Sequence, residues 1–197
     1  MTCVLPRVVL TSFDATKAVV MMVTATGANL DAERTSLLQR LEEQRDFLRV
    51  TLKGLDDEQA ARRTTVSELT LGGLLKHVTG TERDWIAFIQ DGPSEKVVDY
   101  DDPAVWQEHA DSFRLVEGET LASALEDYER AARETERVVT ELPDLEVSHP
   151  LPPAPWFAEG ASWSARDVLL HILRETAQHS GHADIIREAL DGQRTMG

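Results

Sequence analysis

The hydrophobic and polar positions of this chain follow the period of an α-helix from about residue 31 onward. No segment alternates with a period of two for long enough to predict a strand. The pattern predicts four amphipathic helices of roughly 20–25 residues. They run near residues 31–53, 70–90, 120–142 and 165–190. Four such helices in one chain predict an all-α four-helix bundle.

Two long connections interrupt the helical pattern, between the second and third and between the third and fourth helices. The first, residues 91–117, is acidic, and Pro103 predicts one short helical turn inside it. The second, residues 143–163, is rich in proline, which disfavours regular structure. It also carries Trp156 and Trp163, so we expect it to fold back over the bundle.

The chain divides into a leader, one domain and a tail. Residues 1–30 are apolar but show no helical period. Their apolar run is too short to span a membrane. They also lack the basic, apolar and small-residue regions that follow one another in a secretory signal. We expect residues 1–30 to be a disordered leader, with Met21 or Met22 as a candidate natural start. Residues 31–192 then form the bundle and residues 193–197 a tail.

Composition and charge exclude several classes of partner. A chain of 197 residues is long enough to bury a core in one domain. Its net charge of −15 argues against binding nucleic acid or an anionic membrane surface. Because Cys3 is its one cysteine, the expected compartment is the cytoplasm, and a metal site must use histidines and carboxylates. Apolar helix faces are compatible with a homodimer, although no seam identifies the interface.

The most informative stretch lies on the fourth helix. His171, Glu175, His179 and His182 occupy a sector of that helix roughly 80° wide. One ion reaches only neighbours about a turn apart, which leaves three candidate pairs. These are Glu175 with His179, His171 with Glu175, and His179 with His182. A solvated face rich in histidine and glutamate would look similar, but aliphatic residues flank this cluster.

A pair on one helix needs a third ligand from another helix, and His77 on the second helix is a candidate. His77 with Glu175 and His179 would make a two-histidine, one-carboxylate set with open coordination positions, as in catalytic zinc sites. Such ligands also suit nickel, iron and manganese. Taken by itself, a histidine in the context of His77 is more often a hydrogen-bonded core residue than a metal ligand.

Other chemistries lack their sequence signatures. The chain has no nucleophile elbow, no P-loop and no dinucleotide fingerprint. His109 and His149 fall in the predicted connections, and we interpret both as ordinary surface residues.

Three segments carry a resemblance to a known family: LTLGGLLKHV at residues 69–78, WSARDVLL at residues 163–170, and RETAQHSGHADIIRE at residues 174–188. Together they resemble the DinB-like superfamily, in its actinobacterial branch of unknown function. The resemblance covers about residues 31–192. It implies a four-helix bundle that holds a divalent metal through His77, Glu175 and His179. Many members have histidine in place of Glu175, but the mycothiol-dependent maleylpyruvate isomerases are similar in having glutamate there, with zinc.

The resemblance also implies a reaction. Characterised relatives use low-molecular-weight thiols such as mycothiol, bacillithiol and glutathione, which implies a thiol S-transferase whose metal-bound thiolate attacks a small electrophile. His182 is then expected to orient a ligand or transfer a proton, and Arg187 to grip a carboxylate. Both also have a structural interpretation: His182 in helix packing, and Arg187 in a surface ion pair with Asp184 or Glu188. The alternatives in function are a metal-dependent hydrolase and a non-catalytic metal-binding stress-response bundle.

Overall fold

The computed structural model describes residues 15–94 and 98–195, with side chains from residue 32 onward. This part of the chain forms six helices and two short strands. They are α1 (Ala15–Leu52), α2 (Asp57–Ala60), α3 (Leu71–Asp91), α4 (Pro103–Asp111), α5 (Leu121–Glu141), β1 (Ser148–Pro150), β2 (Ser162–Ser164) and α6 (Ala165–Asp191).

The all-α bundle predicted from the hydrophobic pattern is confirmed. The long helices α1, α3, α5 and α6 correspond to the four predicted helices, with α1 packed on α6 and α3 between α5 and α6. None of the helices in the described ranges has a stretch long and apolar enough to cross a bilayer.

The first helix begins earlier than predicted. The backbone of residues 15–30 is helical and continuous with α1, where the sequence predicted a disordered leader. This segment contains no proline to interrupt a helix, and its aperiodic pattern hides it from a search for amphipathic helices. The rest of the predicted leader, residues 1–14, lies outside the described residues.

The connections contain more regular structure than predicted. Pro103 does open a short helix, α4, whose preceding Asp102 accepts a hydrogen bond from the Ala104 amide. The proline-rich connection contributes β1 and β2, which pair antiparallel with His149 opposite Trp163. Trp163 stacks on Trp85 of α3, with ring centroids 4.6 Å apart, so this connection folds back over the bundle as expected.

A layer of buried polar side chains separates two hydrophobic clusters along the bundle. One cluster includes Leu48, Leu74, Tyr128 and Ile186. The other includes Leu41, Ile86, Val139 and Leu169. Between them each long helix contributes buried polar residues, which we call the polar layer: Arg45, Glu82, Thr135, Thr176, His179 and Ser180.

An ion pair joins three members of the polar layer, one each on α1, α3 and α5. The Arg45 guanidinium donates to both carboxylate oxygens of Glu82, and the Thr135 hydroxyl donates to the same carboxylate. Arg45 is 3% exposed and Glu82 1% exposed, so both charges have left water. A buried pair of this kind depends on having both partners, because either charge alone would be uncompensated in the interior.

Removing the carboxylate should therefore unfold the bundle more easily. We expect Glu82→Ala to lower the free energy of unfolding by about 3–5 kcal/mol, measured by urea denaturation, because it strands a buried guanidinium. The matched control is Glu42→Ala, which removes an exposed partner of the same Arg45 and should cost less than about 1 kcal/mol. Equal losses in the two variants would contradict the importance of the buried pair.

Candidate metal centre

Three side chains from two helices meet beside the polar layer. His77 lies on α3, while Glu175 and His179 lie one turn apart on α6. One donor atom from each lies within 4.8 Å of the others, and His179 Nε2 is 3.7 Å from Glu175 Oε2. Two atoms that share one zinc ion at bonds of about 2.1 Å lie roughly 3.4 Å apart in tetrahedral geometry. The three donors therefore fit a single divalent ion with little adjustment.

The packing of α3 against α6 creates this arrangement. Helical spacing places Glu175 and His179 on one face, and His77 approaches from α3 with its ring centroid 4.9 Å from that of His179. His179 is buried, whereas His77 and Glu175 are half-buried. The group thus has a protein side and an open side, as a site for a small ligand requires.

Both histidines are held in the form that binds metal. Burial, the neighbouring His179 and His109 lower the pKa of His77 from 6.5 to about 4. Burial also lowers the pKa of His179. A metal ion needs a neutral imidazole with a free lone pair, and both pKa shifts favour that neutral form.

Hydrogen bonds indicate which ligand atoms face the centre. The two Nδ1 atoms of His179 and His182 are 3.4 Å apart, which leaves His179 Nε2 toward Glu175. Arg174 donates to Glu175 Oε1 at 3.3 Å, which leaves Oε2 toward His179. His77 Nδ1 is 3.3 Å from the Ser112 hydroxyl, so Nε2 is the nitrogen left for a metal.

The end of α4 covers His77. Phe113 stacks on the imidazole, with centroids 3.8 Å apart and ring planes 19° apart. This approach requires glycine at position 73, where a Cβ would stand 1.8 Å from the Phe113 carbonyl oxygen. Gly73 therefore lets the backbone of residue 113 contact α3 directly and brings Ser112 and Phe113 onto His77.

The structure does not bring every predicted site residue into the centre. His171 packs edge-on against Trp85, with centroids 5.0 Å apart, and its Nδ1 contacts Arg174. Trp163 also contacts the His171 ring. Among the residues whose side chains are described, the group of three is His77, Glu175 and His179.

Arg187 is occupied by structural contacts. Its guanidinium donates to Asp191, to the carbonyl oxygens of Thr51 and Lys53 near the end of α1, and to Gln193. The alternative surface pairing with Asp184 or Glu188 is replaced by this buried pairing, because residue 191 lies one turn further along α6 and α1 ends beside it. The proposed grip on a substrate carboxylate stays a prediction, with no free donor to support it.

The two histidines interpreted as ordinary surface residues each make a specific contact in the structure. His109 lies on α4, with its ring centroid 6.2 Å from that of His77. His149 lies in β1 and contacts the Ile89 carbonyl through Nε2 at 3.1 Å. His109 is exposed, as the interpretation expected, and His149 is half-buried. The contacts of both were not predicted because each partner is more than thirty residues away in sequence. Ser112 and Phe113 escaped sequence analysis for the same reason.

A cavity of about 1060 Å³ lies between α3, α4 and the beginning of α5, and His77 forms part of its wall. Trp85 and Trp156 supply aromatic wall, and Val98, Val105 and Leu115 supply aliphatic wall. The described carboxylates on the wall outnumber its basic groups: Asp84, Asp99, Asp102, Glu108, Glu119 and Asp127 against Lys76 and Arg83. Lys76 pairs with Glu119, Arg83 with Asp84 and Arg130 with Asp127, so the acidic excess of the wall lies in Asp99, Asp102 and Glu108.

The fold is that of an all-α DinB-like bundle. The sequence model of the mycothiol-S-transferase family matches residues 36–192, and the chain belongs to that family. A solved structure of a conserved protein from Enterococcus faecalis has the same fold, with a TM-score of 0.59 at 13% identity. That likeness covers 81% of this chain and 97% of the other. No curated protein matches the chain.

Elemental analysis of the purified protein tests the centre directly. We expect about one divalent ion per chain, lost in His77→Ala, Glu175→Ala and His179→Ala, because each removes one of three ligands. His149→Ala is the matched control, since it removes a histidine outside the group. An unchanged helical circular dichroism spectrum would show that the variants remain folded. Metal retained in all three ligand variants would contradict the assignment.

The metal-free protein should lose stability as the pH falls. Since the pKa of His77 is about 4 in the folded chain against an ordinary 6.5, the unfolded chain takes up a proton first as the pH drops through that interval. The free energy of unfolding should therefore fall between pH 6.5 and 4, and fall less in His77→Gln. Urea denaturation at about pH 7 and about pH 5 checks this. Equal pH slopes in the two proteins would contradict the shifted pKa.

Proposed function

We propose that this protein is a cytoplasmic, metal-dependent thiol S-transferase of the mycothiol type that acts on a small electrophile. The observation that carries the proposal is the convergence of His77, Glu175 and His179 in a chain of the mycothiol-S-transferase family. In the reaction the thiol gives up its proton and its sulfur bonds to an electrophilic carbon. In a substitution the leaving group departs with its bonding pair.

The chain's own residues have distinct parts in this scheme. His77 and His179 offer neutral Nε2 atoms, and Glu175 offers a carboxylate oxygen, to zinc or alternatively nickel, iron or manganese. A divalent ion bound there would lower the pKa of a coordinated thiol, so that the thiolate forms near neutral pH.

His182 is the further site residue that the geometry supports. Its Nδ1 lies 3.4 Å from His179 Nδ1, and a His182 tautomer with a free lone pair on Nδ1 would accept a proton there and leave His179 Nε2 for the metal. This is the orienting role expected of His182. Arg187 donates to Asp191 and to the end of α1, which supports its structural interpretation over a grip on the substrate.

The cavity beside His77 is where the organic parts of the substrates would bind. Its tryptophans and aliphatic residues suit an uncharged or apolar electrophile. Its excess of carboxylates repels ligands that carry carboxylates themselves. Glutathione carries free carboxylates, whereas mycothiol carries none, so the charge of the wall favours mycothiol as the thiol.

Thiol consumption by the metal-loaded protein tests the proposal. With monochlorobimane as a generic electrophile, we expect thioether formation from mycothiol that disappears in Glu175→Gln and persists in His149→Ala. Glutathione should react about fivefold more slowly at low salt, since a few weakly screened charges together contribute on the order of 1 kcal/mol, and less slowly at high salt.

Two other results of this assay would favour the alternative functions. Hydrolysis of ester substrates without thiol consumption would favour a metal-dependent hydrolase. Bound metal with no turnover on any thiol would favour the non-catalytic bundle. A homodimer also stays a prediction, for which sedimentation gives the measurement.

A further inference from the structure

The Ser112 hydroxyl has one proton, and the structure shows where that proton points. Ser112 Oγ lies 2.7 Å from the His109 carbonyl oxygen, which can only accept a hydrogen bond. The same Oγ lies 3.3 Å from His77 Nδ1. Because its proton is engaged by His109, the hydroxyl can only accept from His77. Nδ1 must therefore be the protonated nitrogen of that imidazole.

We propose that Ser112 is a positioning residue that holds His77 as the Nδ1–H tautomer and so keeps Nε2 available as a ligand atom. The inference rests on the proposed metal site and deepens it. A neutral imidazole in water prefers to carry its proton on Nε2, the wrong nitrogen for this centre. The hydrogen bond at the second nitrogen decides which tautomer a ligand histidine adopts.

The surroundings of Ser112 make it suited to this task. It caps the C-terminus of α4, with its amide donating to the carbonyls of Glu108 and His109. Phe113, the next residue, stacks on the His77 ring and fixes the ring plane. Stacking orients the plane of the His77 ring but does not distinguish its two nitrogens. The hydrogen bond to Ser112 therefore determines the tautomer.

This contact also ties the centre to the cavity. Glu108, His109 and Ser112 all line the cavity wall, and they form the last turn of α4 that holds the hydrogen-bonded chain from His109 to Ser112 to His77. The position of α4 therefore sets both the shape of the cavity and the ligand atom of His77.

The tautomer can be observed in the metal-free protein by long-range proton–nitrogen NMR of nitrogen-15-labelled histidine. We expect His77 to be protonated on Nδ1 in the wild type, to shift toward Nε2–H in Ser112→Ala, and to keep the wild-type signature in Ser112→Thr, which retains the hydroxyl. Zinc titration should show affinity about 10–100-fold weaker in Ser112→Ala and close to wild type in Ser112→Thr.

Ser123→Ala is the matched control, because Ser123 lines the same cavity but hydrogen-bonds within the α5 cap. An Nε2–H signature in the wild type, or a tautomer that Ser112→Ala leaves unchanged, overturns the proposal. A changed tautomer with unchanged zinc affinity overturns the positioning role. If the wild type binds no metal at all, the proposed function is wrong. The NMR signature alone then decides whether Ser112 sets the tautomer of His77.

Discussion

The buried ion pair between Arg45 and Glu82 is the constraint around which this bundle is arranged. It places two charges between two apolar clusters, where each is tolerable only with its partner and with the Thr135 hydroxyl. Hydrophobic packing alone permits helices to slide, but a hydrogen-bonded pair in the interior has one good alignment. The polar layer therefore sets the register of α1, α3 and α5.

The candidate metal centre benefits from this register. On α6 the same layer holds Thr176, His179 and Ser180, whose hydroxyl donates to the Thr176 carbonyl at 2.7 Å. Further along α6, Arg187 donates to two backbone carbonyls near the end of α1. Fixing α6 against α1 and α3 places His179 opposite His77. A cluster of histidines in a wholly apolar core would carry a greater desolvation cost than one at the edge of a polar layer.

The two long connections between the helices contribute residues that surround the candidate metal centre and the cavity. The acidic connection places α4, Ser112 and Phe113 over His77, and the proline-rich connection places Trp163 against Trp85. Connections that cover a bundle in this way shape the cavity, and the same fold can host different reactions by varying them. Family membership and the candidate metal ligands thus support the proposed type of reaction, while the cavity wall supports the proposed choice of substrates.

The four long helices and the helical pair of candidate ligands could be predicted from the sequence, because these features depend on residues close together in the chain. The period of apolar residues predicted four helices, Pro103 predicted the start of α4, and helical spacing put Glu175 and His179 on one face. The helical backbone of residues 15–30 was not predicted because the apolar residues there are aperiodic in sequence. Resemblance to a family, more than spacing, singled out His77 as the third ligand.

Contacts between segments far apart in sequence could be identified only in the tertiary structure. Nothing local in the sequence joins Arg45 to Glu82, Ser112 to His77, or Arg187 to the end of α1. The His171 and His179 side chains share a helix face, yet packing turns one against tryptophans and the other toward His77. Periodicity specifies which face of a helix is buried, but only the neighbouring helices specify what that face meets.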